Sequence, residues 1–147
     1  MELTLLRAAA APEMCADKGR HIFTYAFTVW DSPITDCVPV KRGYELGHPF
    51  RVADGAVTSL NSFASVDRQN VIIETVKTAE DNSGDLILRL YEAAGSAVKA
   101  NLTICFAGIF QEADMLENPR KDLTSDGHRV PLDFRAFEIK TIRIHKA

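Results

Sequence analysis

The side chains in this 147-residue chain that could do chemistry are three cysteines, four histidines and a scatter of carboxylates. Cys15, Cys37 and Cys105 are an odd number at wide spacing with no CxxC pair. That pattern opposes a disulfide framework and favours a reducing, cytoplasmic compartment, with the thiols packed as small hydrophobes. A nucleophilic cysteine needs a base beside it, and no local motif supplies one. His21, His48, His128 and His145 form no HxxxH pair of the kind that sets two donors on one side of a metal. Asp17, Gly19 and His21 read as a turn entering a strand, since two donors in a loop complete only half of a tetrahedron. No metal or other cofactor is therefore expected in this chain.

Paired carboxylates are the other route to catalysis. A retaining glycosidase sets two carboxyl groups roughly 5 Å apart, one as acid and one as nucleophile. Asp17, Glu45, Glu74, Glu92, Asp114, Glu117 and Glu138 are the candidates, but no motif pairs them. Glu74 and Glu138, between apolar neighbours, read as solvent-facing strand positions, and Arg89 near Glu92 suggests a cross-strand charge pair. GxSxG, P-loop and dinucleotide fingerprints are absent. Asn101-Leu102-Thr103 fits a glycosylation sequon but falls in an expected strand, where a chance match is the better reading. No catalytic, cofactor-binding or metal-binding residue is assigned.

The elements that would position any of these groups are strands. Phe23, Tyr25, Phe27 and Val29 alternate with small or polar residues, which predicts the core face of a sheet. Pro33, Pro39 and Pro49 punctuate 32–49, where a crossing loop with at most one helical turn is expected. Asp54-Gly55 suits a tight hairpin turn, and short strand-like pieces follow over 56–67. Val71 to Thr78 is β-branched and ends in a polar turn. Leu86, Leu88 and Leu90 oppose Ile87, Arg89 and Tyr91. Gly95-Ser96 then leads into Val98, Ala100, Leu102, Ile104 and Phe106, which predicts a hairpin. Pro131 marks an edge strand over Val130 to Phe134. Phe137 and Ile139 share one parity and Ile142 and Ile144 the other, so burying both pairs would need a bulge near Lys140-Thr141 or a strand that passes from one sheet to the other.

Many short strands without a 3.6-residue pattern predict an all-β protein, an antiparallel β-sandwich, immunoglobulin-like or related. A formal charge of −3 with 46% hydrophobic residues fits one domain with a core and leaves no footprint for nucleic acid. No apolar run is long enough to cross a membrane as a helix.

Several of these strings, in order, resemble glycoside hydrolase family 38 α-mannosidases. Leu3-Thr4-Leu5-Leu6-Arg7 and Ala16-Asp17-Lys18-Gly19-Arg20-His21-Ile22-Phe23-Thr24-Tyr25-Ala26 are similar to an "SLLR … AD.G.H.FTYA" passage. Tyr44-Glu45-Leu46 with Pro49, Ile72 to Lys77 with Ala79-Glu80, Leu88 to Ala93, and Phe137 to Ile142 resemble later elements of that family. The resemblance covers only the family's C-terminal end. It implies residues 1–53 as trailing strands of a larger sandwich plus a connection, and 54–147 as a C-terminal sandwich. It also implies a non-catalytic piece of a retaining, zinc-dependent enzyme whose metal ligands and carboxylates lie upstream. Its partners would then be the remaining domains of the parent, which would take the α-mannoside substrate. A cut face would invite weak self-association. The alternative is a stand-alone carbohydrate-binding or adhesion module, with Trp30 the suggestive aromatic.

Overall fold

A computed structural model describes residues 2–6, 11–15, 17–50, 52, 54–55 and 61–146. Period-two alternation from residue 64 onward becomes strands of two antiparallel sheets. They are β1 (Ala64–Val66), β2 (Val71–Thr78), β3 (Leu86–Glu92), β4 (Val98–Ile104), β5 (Gly108–Ala113), β6 (Pro119–Asp122), β7 (Arg129–Phe134) and β8 (Ile139–Lys146). One sheet has the order β1-β4-β7 and the other β2-β3-β8-β5-β6. Their inner faces make one core. Leu88, Leu90, Phe110, Ile142 and Ile144 meet Ala100, Leu102, Ile104, Val130, Leu132 and Phe134 across it. Each large side chain so buried contributes about 1.5–3 kcal/mol relative to exposure. The antiparallel sandwich expected from the sequence is the fold, and β7, with Pro131 opposite Asn101, lies at a sheet edge.

Four local expectations change. β3 and β4 are not a hairpin: they belong to different sheets, and residues 93–97 arch from one layer to the other. Alternation alone cannot separate these cases, because Leu88 and Leu102 face the same core whether their strands pair or oppose. β8 carries no bulge. Its pairing with β3 and β5 is in continuous register, Ile142 and Ile144 enter the core, and Phe137 and Ile139 are left exposed. Register shifts fall instead in β2, between Ile73 and Thr75, and in the pairing of β5 with β6, between Glu112 and Ala113.

The stretch expected as a loop with one helical turn holds a 3₁₀ turn (Ile34–Asp36) and a ten-residue helix, α1 (Val38–Gly47). Pro39 sits in its first turn, where no N–H is needed and a fixed φ suits the helix. The row Phe23, Tyr25, Phe27 and Val29 is exposed and belongs to no strand, rather than lining a core. The expected turn at Asp54-Gly55 has neighbours outside the described residues, as does most of the strand-like stretch before Ala64.

Candidate functional site

Two polar constellations stand on the five-stranded sheet. The first surrounds Glu92, the last residue of β3, whose side chain is fully buried. Its Oε1 accepts from Asn70 Nδ2 at 2.8 Å and the Ala94 amide at 2.9 Å, with the Ser96 hydroxyl at 3.3 Å. Its Oε2 accepts from the amides of Gly95 at 2.8 Å, Ser96 at 3.1 Å and Phe137 at 3.0 Å. Burial works to raise this carboxyl, but the hydrogen bonds led by Phe137, Ala94 and Asn70 outweigh it and hold it at about 2. A carboxylate so saturated has neither proton to give nor a lone pair to attack with. It ties the arch after β3 to the turn before β8.

The second constellation lies on the outer face, away from the core. The loop after β5 folds back and inserts the buried carboxylate of Glu117, at φ 70°, beside Lys77 Nζ at 2.8 Å and Arg89 Nη2 at 3.4 Å. The Glu80 amide also donates to it, at 2.9 Å. Lys77 chiefly, with the Glu80 amide next, holds Glu117 below the usual range. Arg143 bridges Asp85 at 2.6 Å and Asp81 at 2.7 Å, and Asp85 also meets His145 Nδ1 at 2.7 Å. Ile87, flanked in register by Lys77 and Arg143, is completely buried beneath these groups. Arg89 thus finds its charge partner in Glu117, on the loop after β5, rather than across a neighbouring strand.

The remaining candidates are dispersed. Asp17, at φ 57°, and Gly19, at φ 137°, form a turn in which His21 Nε2 meets the Asp17 carbonyl at 2.7 Å. Glu45 pairs with Arg42 on α1, and Glu74 is exposed at the β2 bulge. Asp114 closes its own loop through the Leu116 and Asn118 amides. Glu138 is half-buried against Arg135 and Lys140 rather than simply solvated. Cys37 is buried, and burial, then Glu92, pushes its thiol up. Cys15 and Cys105 are exposed, which corrects the expectation of packed thiols. Asn101 Nδ2 is engaged by Asp67 at 2.7 Å. Among the described residues no three His, Cys, Asp or Glu side chains converge as a metal site.

Sequence reasoning missed Glu92 and Glu117 as organisers. For Glu92 a signal existed: an acid closing an apolar strand just before Ala94, Gly95 and Ser96, whose amides turn inward around it. Nothing in the sequence brings Glu117 to Lys77 and Arg89.

Comparison with known proteins agrees with this architecture. Residues 70–142 match the glycosyl hydrolases family 38 C-terminal beta sandwich domain. Alpha-mannosidase 2C1 of Homo sapiens is 37% identical over 153 residues, covering 97% of this chain and 14% of that protein. Alpha-mannosidase G of Dictyostelium discoideum is 30% identical, covering 96% of this chain and 14% of its own length. An alpha-mannosidase of Saccharomyces cerevisiae is 26% identical, covering 99% of this chain and 16% of its own length. The chain therefore spans a small part of each relative. It belongs to the family 38 glycosyl hydrolases, as a C-terminal β-sandwich region.

Proposed function

We propose that this chain serves as the non-catalytic C-terminal region of a retaining, zinc-dependent α-mannosidase, bracing the domains that carry the chemistry. One observation supports the reading: the two buried carboxylates among the candidates, Glu92 and Glu117, are both committed to their own backbone and cationic neighbours. On this reading the zinc and the carboxylates that carry the chemistry belong to the upstream part of the parent. Residues 1–53 act as trailing strands of a larger sandwich plus the connecting segment that holds α1, which accounts for the exposed aromatic row at 23–29, and 54–147 act as the C-terminal sandwich. The thiol pattern supports a cytoplasmic setting.

The test is expression of the full reading frame that contains this sequence. The full product hydrolyses an aryl α-mannoside and loses that activity to a zinc chelator, while the 147-residue chain alone hydrolyses nothing. A native protein of only these residues, or an inactive longer product, overturns the reading.

A second reading, a carbohydrate-binding module, draws on Trp30. That indole is 40% exposed and lines an open cleft with Phe27, Pro39, Arg42 and Leu46. Calorimetric binding of a mannoside, lost in Trp30→Ala, would favour it.

A further inference from the structure

The outer face of the five-stranded sheet is covered unevenly. At the β2 side, α1 reaches Tyr91, whose hydroxyl meets that of Tyr44 at 3.4 Å. At the other end, Ile87 is sealed beneath the Glu117 and Arg143 ion pairs. Between them an apolar strip is open. Ile139, opposite Tyr91 in the ladder, is 59% exposed. Met115 is 56% exposed, with its sulfur 3.8 Å from Thr141 Oγ1, two residues along the same face. Phe137, just before the strand, is 71% exposed.

Phe137 is held in this position at a conformational cost. Its backbone is left-handed at φ 57°, which a bulky side chain rarely adopts. Its amide is fixed by Glu92, and its ring lies so close over Gly95 that a Cβ there would stand 2.7 Å from Cζ. A large exposed ring fixed over Gly95, two residues before the exposed Ile139, has the anatomy of an interface anchor.

We propose that Phe137, Ile139 and Met115 form the docking strip by which this sandwich seats on the preceding domains of the same polypeptide. The inference rests on the reading of the chain as a C-terminal region. The occupant is argued from length: the relatives it matches are covered over only 14% to 16%, so most of each such protein lies outside the match and is available to cover the strip. The charged groups of this face are already paired with one another at its far end, which leaves an apolar contact.

Hydroxyl-radical footprinting of the full-length enzyme tests this, read peptide by peptide. Ile109 is the internal reference, because it lies on the same face at 56% exposure but beside His145. Ile139, Met115 and Phe137 are expected to react several-fold more slowly than their exposure here implies, with Ile109 unprotected. Equal rates at Ile139 and Ile109 overturn the proposal. Protection that disappears on dilution assigns the strip to a second copy and also overturns it. Mannosidase activity of the same preparation reports separately on the parent reading: an active enzyme with an unprotected strip defeats the docking alone.

Discussion

The amide of Phe137 donates to Oε2 of Glu92 at 3.0 Å across 45 positions of sequence, joining the arch that leaves β3 to the turn that enters β8. The same carboxylate gathers the amides of Ala94, Gly95 and Ser96, so one buried anion fixes both corners at this end of the sandwich. Replacing Glu92 with Ala leaves those part-buried donors without their acceptor. At about 1–3 kcal/mol for an unsatisfied buried group, the loss is expected to exceed about 3 kcal/mol. Urea unfolding followed by far-ultraviolet circular dichroism measures it, and a loss below about 1 kcal/mol would refute the role.

Acid should act through the same group. Glu92 is held at about 2 when folded against an ordinary value of 4.5, so its stabilisation is complete above the unfolded value and fades as pH falls from about 4.5 toward 2. The depression corresponds to about 3 kcal/mol. Asp85 and Glu117 are lowered too and lose their contributions in the same direction. Glu92→Gln is expected to flatten this acid limb while lowering stability at neutral pH. An acid limb as steep in the variant as in the parent would count against the assignment.

Gly95 and Phe137 should be coupled. At φ 73° a side chain at position 95 is strained, and its Cβ would also meet the Phe137 ring at 2.7 Å. Gly95→Ala is expected to cost about 1–3 kcal/mol. In Gly95→Ala with Phe137→Ala the ring contact is gone and only the backbone strain persists. A double-mutant cycle should therefore show a coupling of about 0.5 kcal/mol or more, and strict additivity would mean that the ring yields freely.

Much of the fold was legible because burial on one face writes itself as alternation: Leu88 and Leu90, Ala100 to Ile104, and Val130 to Phe134 are all core residues with the parity expected of them. Which strands pair was not. Leu90 and Leu102 present the same pattern whether they sit side by side in one sheet or face one another across the core. The exposed row at Phe23 to Val29 shows the complementary limit, since alternation marks a face that wants cover and does not say which surface supplies it. At the polar constellations, residue types were visible but partners were not, because Glu117 reaches Lys77 over 40 positions through a loop turned back by a left-handed residue.

Gly108 supplies an independent test of core packing. A Cβ at this buried position would stand 2.7 Å from Ile144 Cγ2 and 3.1 Å from the His145 carbonyl, both on the strand paired with β5. Backbone cannot retreat without breaking the ladder, so Gly108→Ala should destabilise by about 1–3 kcal/mol through overpacking. A neutral result would show that β5 and β8 can part at this end.

The thiols give the last prediction, with a reagent that reads burial directly. Cys15 and Cys105 are exposed, whereas Cys37 is buried, and both burial and the charge of Glu92 disfavour its thiolate. Thiolate, not thiol, attacks a disulfide reagent, so access and charge act together at Cys37. Under native conditions Ellman's reagent should therefore release two fast equivalents from Cys15 and Cys105. A third, from Cys37, should appear only as the segment between the 3₁₀ turn and α1 opens. Glu92→Ala removes the nearby anion and loosens the arch, so it should speed the slow phase while leaving the fast phase unchanged. Three fast equivalents in the parent protein would mean that the packing of α1 against the sheet is not maintained in solution.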